Sequence, residues 1–129
     1  FALGYIKSDI EEGMDLLPIE SIPNITTNYK DNMGFVIRKY NSGSDKYQFI
    51  FYTQNEDALT RHTFSSPFKT PPSFNSNEGY NNIIRNVDSI SGCEFDEYNN
   101  VLVLSIAIKD KKSSKIYEFL ETININNDF

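Results

Sequence analysis

The sequence predicts an α+β fold in which one N-terminal amphipathic helix packs on antiparallel β-sheet, with a three-stranded meander at the C-terminus. Apolar residues recur at helical spacing over residues 1–18, whereas much of the remaining chain alternates between apolar and polar residues with the period of a strand. Short turns separate the alternating runs near the C-terminus, as in an antiparallel meander. With 129 residues and no repeats, residues 1–129 are interpreted as a single domain.

The predicted helix spans residues 1–18. Its apolar residues are spaced by three or four positions, which places them on one helical face against the sheet. Pro18 ends or kinks the helix because proline has no backbone N–H and restricts the residue before it. The apolar face consists of Leu3, Ile6, Ile10, Met14 and Leu17.

Three strands are predicted in the middle of the chain, at 34–40, 46–54 and 59–64. The turn NSGSD joins the first two strands as a hairpin with a five-residue loop. Residues 65–79 contain three prolines and no periodicity, and predict a long surface loop that Phe68 and Phe74 pin to the domain. Residues 80–92 are compatible with either a short helical turn or a strand.

The C-terminal meander is predicted from two alternating segments and the apolar run between them. They are CEFDEY at 93–98, VLVLSIAI at 101–108 and KIYEFLETINI at 115–125, joined by Asn99-Asn100 and by a lysine-rich turn. VLVLSIAI is too apolar for a strand with one face in water. We therefore expect the helix to cover one of its faces and the 65–79 loop to shield the other.

Composition excludes several classes of partner. The formal net charge is -6, which argues against nucleic acid because phosphate binding needs a basic face. It also argues against docking on anionic lipid head groups. No run of about 18 apolar residues is present to span a membrane. Cys93 is the only cysteine, so it has no intramolecular disulfide partner, and it is interpreted as a half-buried strand residue.

No pattern in the sequence points to a reaction, and the chain is predicted not to be an enzyme. His62 is the only histidine, no motif of the G-x-S-x-G type accompanies it, and it is interpreted as an exposed strand residue. Acidic residues near Asn-rich turns are possible calcium ligands, but no EF-hand spacing occurs, so they are interpreted as solvated surface. No metal or cofactor is predicted. The acidic residues are Glu56, Asp57, Glu94, Asp96 and Glu97.

Three segments resemble one family. They are YIKSDIEEGMDLL at 5–17, GFVIRKYNSGSDKYQFIFYT at 34–53 followed by LTRHTF, and the stretch from Ile83 to Asn126. In the last of these, Asn86-Val87 precedes a strand, a turn, a strand, a charged turn and a final strand. This order is similar to that of the minor pilins and pseudopilins of type IV pilus, competence and type II secretion systems, the J-class minor pseudopilins above all.

The resemblance implies a pilin-like fold and a role in filament assembly without catalysis. The chain would be a structural minor subunit, would join other minor pilins at the filament tip to prime assembly, and would be exported. The family's N-terminal signature is not found, since Tyr5 stands where the family has glutamate. The resemblance therefore implies that a cleavage site and the hydrophobic half of the helix precede Phe1. This half of the helix would be the only part of the protein that contacts the membrane.

Two surfaces are candidates for contact with partners. On the filament reading, Lys7, Glu11 and Asp15 lie opposite the apolar helix face and form a candidate subunit interface. The alternative function is a cell-surface binding module or adhesin, in which the 65–79 loop contacts a ligand.

Overall fold

The computed structural model describes residues 2–13, 15–90, 94–96 and 101–124. Most of this chain is antiparallel strand, arranged in a five-stranded sheet of order β1-β2-β3-β4-β5 (sheet A) and a four-stranded sheet in which β6, β7 and β9 all pair with β8 (sheet B). The elements are α1 (Ala2–Glu12), β1 (Asp15–Pro18), a 3-10 turn (Ile19–Ser21), α2 (Ile25–Asn28), β2 (Phe35–Asn41), β3 (Lys46–Asn55), β4 (Ala58–Ser66), β5 (Gly79–Ile84), β6 (Val87–Ser89), β7 (Glu94–Asp96), β8 (Val101–Lys109) and β9 (Ile116–Asn124).

One face of sheet A packs against α1 and sheet B. Alternate residues of β2 and β3 point to this side, and they share one apolar cluster with the inward face of β8. The helix contributes three of its residues to the same cluster. The main members are Leu3, Ile6, Ile10, Leu16, Phe35, Ile37, Ile50, Tyr52, Leu59, Leu102, Leu104, Ile106 and Ile123.

The other face of sheet A is buried as well. The segment that contains the 3-10 turn and α2 lies over it, together with a phenylalanine from the loop between β4 and β5. Aromatic rings dominate this second cluster, and Phe49 stacks on Phe64 with ring centroids 4.9 Å apart. Its buried members are Leu17, Ile19, Ile22, Ile25, Val36, Phe49, Phe51, Phe64 and Phe74.

A buried carboxylate ties α1 to sheet A. Asp9 accepts two hydrogen bonds from the guanidinium of Arg61 on β4, at 2.9 and 3.2 Å, and a third from the hydroxyl of Tyr52 on β3. Burial, together with the hydrogen bond to Asp9, raises the pKa of Tyr52, so its hydroxyl stays protonated and donates. The paired charges and the extra donor satisfy the carboxylate away from water.

The predicted α+β, pilin-like architecture of a helix packed on a sheet is wrong. Strands in two sheets dominate, and the two helices in the described ranges have only 11 and 4 residues. The predicted 1–18 helix ends at Glu12, since DLLP (15–18) pairs with β2. Leu16 and Leu17 are buried on opposite faces of sheet A, which is the alternation of a strand. Met14 lies outside the described residues.

Gly13 marks the change from helix to strand. Its N–H donates to the carbonyl of Ile10 at 3.1 Å, and the backbone lies against β2. A Cβ at this position would lie 2.6 Å from Cγ2 of Ile37, which is buried and β-branched. The glycine therefore allows α1 to end close to the sheet.

Other expectations for the C-terminal half are resolved in part. Residues 80–92 contain the strands β5 and β6, so the strand alternative is the correct one. The 65–79 loop covers sheet A rather than the outer face of VLVLSIAI, which contradicts the predicted shield. Cys93 and the Asn99-Asn100 turn lie outside the described residues.

Gly13→Ala tests this packing. We expect the free energy of unfolding to fall by about 1–3 kcal/mol, because the new methyl group overpacks against Ile37. The matched control is Gly4→Ala, also in α1, where a Cβ meets no atom within 4 Å and where alanine should stabilise the helix by about 0.5–1 kcal/mol. Urea unfolding measures both variants. Equal stability of the two would contradict the close contact.

Candidate functional site

The loop between β4 and β5, residues 67–78, is held to the domain along its length (we call it the proline loop). Its backbone donates from Phe74 to the carbonyl of Pro23 and from Glu78 to the carbonyl of Thr63, both at 2.8 Å. Phe74 is buried in the aromatic cluster, as predicted, whereas Phe68 is 58% exposed and does not pin the loop. The loop is thus a fixed cover of sheet A that presents Phe68 to solvent.

A buried ion pair supports the first half of the proline loop. Arg38 on β2 pairs with Asp15 on β1 through two of its nitrogens, and a third donates to the carbonyl of Lys69 at 2.9 Å. Both charged side chains are less than one-tenth exposed. A planar guanidinium suits this task because its donors point in fixed, divergent directions.

A hydrogen-bonded histidine supports the second half. His62 on β4 is completely buried, with Nε2 at 2.7 Å from the Thr53 hydroxyl and Nδ1 at 3.1 Å from Oδ1 of Asn77. The amide nitrogen of Asn77 donates to the hydroxyl of Tyr29 at 3.0 Å, which leaves Oδ1 as the group that faces the ring. In the neutral imidazole Nδ1 therefore donates to Asn77 and Nε2 accepts from Thr53.

Aromatic contacts complete the histidine environment. The ring stacks on Phe51 at 4.6 Å with an interplanar angle of 3°, and Tyr29 lies at 4.6 Å on a tilted plane. Burial lowers the pKa of His62, and the hydrogen bond that Nδ1 donates to Asn77 raises it by a smaller amount. The ring is consequently neutral near pH 7 and acts as a structural link between β4 and the proline loop.

A cavity of about 340 Å³ opens between β4 and the proline loop. Its wall combines phenylalanine and proline rings with serine hydroxyls, one asparagine amide and one carboxylate, and it contains no lysine or arginine. Glu78 is the carboxylate, and it already accepts a hydrogen bond from the backbone of Ser65. The lining residues are Phe64, Ser65, Ser66, Pro67, Phe68, Pro71, Pro72, Ser73, Asn75, Ser76 and Glu78.

The chemistry of this cavity suits binding. Its serines come from the end of β4 and from the proline loop, whereas the imidazole of His62 is hydrogen-bonded to Thr53 and Asn77. Apolar rings beside hydroxyl and amide groups match a ligand that has both an apolar surface and hydroxyl groups.

A second cleft, of about 410 Å³, lies where the two sheets join. Val87 donates its N–H to the carbonyl of Asp57 at 2.9 Å, and Lys109 donates to the carbonyl of Asn86 at 2.8 Å, so the chain after β5 links both sheets. Glu56 and Asn86 have positive φ values of 55° and 65°, which the tight turns at this junction require. Residues of this junction, among them Asp57, Asn86 and Lys109, line the cleft.

The predicted acidic clusters do not form a metal site in the described residues, where no group of three or more His, Cys, Asp or Glu side chains converges. Asp57 forms an exposed ion pair with Arg85 at 3.4 Å, and Glu56 is exposed at the turn after β3. Glu94 and Asp96 belong to β7, and Glu97 lies outside the described residues.

The three residues of the predicted helical interface do not share one surface. Lys7 pairs with Glu121 of β9 at 3.8 Å, and Glu11 is exposed on α1. Asp15 belongs to β1 and is buried against Arg38, so it is not available to another subunit. Of the three, Glu11 is the residue with an open side chain and no ion pair among the described residues.

Comparisons with known proteins identify no relative. No protein-family model, curated protein or solved structure matches the chain. Within the described ranges, neither helix has the length and hydropathy needed to cross a membrane.

Sequence reasoning located the loop and its anchor Phe74, but not the supports from Arg38 and His62. His62 was expected to be exposed, yet it lies in phase with Thr60 and Phe64 on the buried face of β4. Because alternate residues of a strand share one face, the position of His62 two residues before Phe64 was the available indication that it is buried. Asp9 and Asp15 gave no such indication, because their partners, Arg61 and Arg38, are distant in sequence.

The histidine predicts a pH dependence of stability. The unfolded chain binds a proton on His62 near pH 6.5, whereas the folded chain does so only at a lower pH. The contribution of neutral His62 to the free energy of unfolding is therefore fully present above about pH 6.5 and is lost as the pH is lowered. We expect a slope of up to about 1.4 kcal/mol per pH unit below this point. Denaturant unfolding between pH 7.5 and 5.5 measures it.

His62→Gln is the control for this titration. His62 is the only histidine in the chain, so the variant should be less stable at pH 7.5 but nearly independent of pH over this range. An equal slope in both proteins would assign the pH dependence to other groups.

Proposed function

We propose that the chain is a non-catalytic, cell-surface binding module that contacts its ligand through the proline loop. The observation that carries this proposal is Phe68, an exposed aromatic side chain at the wall of a 340 Å³ cavity on a fixed loop. Exposed aromatic residues beside a cavity are frequent anchors of binding energy.

The fixed loop supports the proposal energetically. A flexible binding loop loses conformational entropy when it closes on a ligand, and this loss weakens binding. Here the contacts of Arg38, His62 and Phe74 hold the loop against sheet A through the domain's own side chains. The exposed side of the proline loop is therefore available to contact a ligand, while its buried side packs on sheet A.

The lining favours an uncharged, hydroxyl-rich ligand such as a carbohydrate. A sugar ring has an apolar C–H face that fits against Phe68 or the prolines, and its hydroxyl groups fit the serine and asparagine side chains. The net charge of -6 disfavours anionic polymers. Export of the chain to the cell surface is part of the same proposal.

The filament-subunit function stays a prediction. It was drawn from the family resemblance and from a helix-on-sheet architecture that the chain does not have, and one of its candidate interface residues, Asp15, is buried. Assembly with other minor pilins therefore has less support than ligand binding through the proline loop.

Phe68→Ala tests the binding proposal. We expect the wild-type chain to bind at least one member of a panel of immobilised neutral polysaccharides (dextran, mannan and chitin oligosaccharides) in surface plasmon resonance. The variant should lose at least about tenfold in affinity, because the exposed anchor is removed without disturbing the core.

Tyr40→Ala is the matched control, since Tyr40 is a similarly exposed aromatic residue on β2 that does not line the cavity. Its affinity should stay within about twofold of the wild type. Absence of binding to every polysaccharide, or equal losses in both variants, would contradict the proposal.

A further inference from the structure

The last strand, β9, is a long sheet edge. Its nine residues pair with β8 in continuous register, from Ile116 opposite Lys109 to Asn124 opposite Val101. None of the other described strands pairs with β9, so its second edge is open within the described chain. An open edge offers a row of backbone N–H and C=O groups to another strand.

The remaining edges are protected. The β1 edge has four residues and ends at Pro18, and β6 and β7 have three residues each. The β5 edge shows a register shift against β4 and exposes Asn81 and Asn82. Short length, proline and irregular register all discourage edge pairing, and β9 has none of these three features, although it carries polar side chains such as Glu118 and Glu121.

The side chains of β9 add to this contrast. Ile116, Tyr117 and Leu120 are 56%, 49% and 63% exposed, and β9 holds half of the large exposed apolar side chains in the described residues. Ile123 points into the core, and successive residues of a strand point to opposite faces. Ile116 and Leu120 are an odd number of positions away from Ile123, so they lie on the outer face of sheet B. This combination is typical of a strand that pairs with another chain.

We propose that β9 pairs antiparallel with β9 of a second copy of the chain, with Leu120 of both copies on the two-fold axis. The two sheets B then form one continuous sheet. A two-fold axis perpendicular to the sheet makes the contact self-complementary and closes the assembly at a dimer.

The register follows from the sequence of the strand. With Leu120 at the centre, Ile116 of one copy faces Asn124 of the other, and all nine residues are paired. Centres at Glu118 or Glu121 would place two identical carboxylates directly opposite each other, which is unfavourable. A centre at Phe119 would leave Ile123 and Asn124 without strand partners.

The central register also separates the charges. Glu118 faces Thr122 of the second copy, and Glu121 faces Phe119. Leu120 meets its own copy on the outer face, where both leucines lose contact with water. The dimer leaves the proline loop on the other sheet accessible, so this inference does not depend on the proposed function.

A charge exchange at Leu120 tests the dimer and its register. In Leu120→Glu alone, or in Leu120→Lys alone, like charges meet on the axis, and we expect the dimer dissociation constant to rise at least about tenfold. An equal mixture of the two variants should regain dimer, because glutamate then faces lysine. Sedimentation velocity over a concentration series measures the three samples against the wild type.

Ile116 supplies the matched control. It is similarly exposed on the same face, but the two copies of residue 116 lie at opposite ends of the paired strands. Mixing Ile116→Glu with Ile116→Lys should therefore give no recovery. Circular dichroism confirms that each variant keeps its sheet content. A wild-type monomer at every concentration, or a dimer unchanged in both Leu120 variants, would overturn the inference.

Discussion

The central strands β2 and β3 carry apolar side chains on both faces, and both faces of sheet A must therefore be covered. On one side the cover is α1 with sheet B, and on the other it is the segment of residues 19–29 with the proline loop. Parts of the chain that look like connections are consequently structural layers. The loop between β4 and β5 is fixed because the aromatic cluster beneath it would otherwise be exposed to water.

Each cover is also held by an arginine–aspartate pair, which is buried for Arg38 and Asp15 and partly buried for Arg61 and Asp9. On the face of sheet A that packs against α1 and sheet B, Arg61 binds Asp9 of α1. On the other face, Arg38 binds Asp15 and the proline loop. Buried pairs add little net stability, but their geometry favours a single arrangement over alternatives in which a charge stays unpaired. The exposed Phe68 owes its fixed position to this arrangement, which connects the core to the proposed binding surface.

Sequence patterns predicted the strands of the domain better than its overall architecture. The alternation in KYQFIFYTQ and the apolar run VLVLSIAI correctly indicated β3 and β8. The helical spacing of residues 1–18 was misleading because Leu17 fits that pattern by chance, while Gly13 and the pairing of DLLP with β2 decide the outcome. The proline loop and its anchor Phe74 were predicted, but the contacts of the loop with Arg38 and His62 join residues distant in sequence, which no local pattern reveals.

Native-state hydrogen exchange tests the account most directly, because it measures whether the proline loop is part of the folded core. The amides of Phe74 and Glu78, which donate to Pro23 and Thr63, should be protected to within about tenfold of the central amides of β3. Exchange of these two amides as fast as that of the exposed turn at 42–45 would contradict the account, since the loop would then open independently of the sheet.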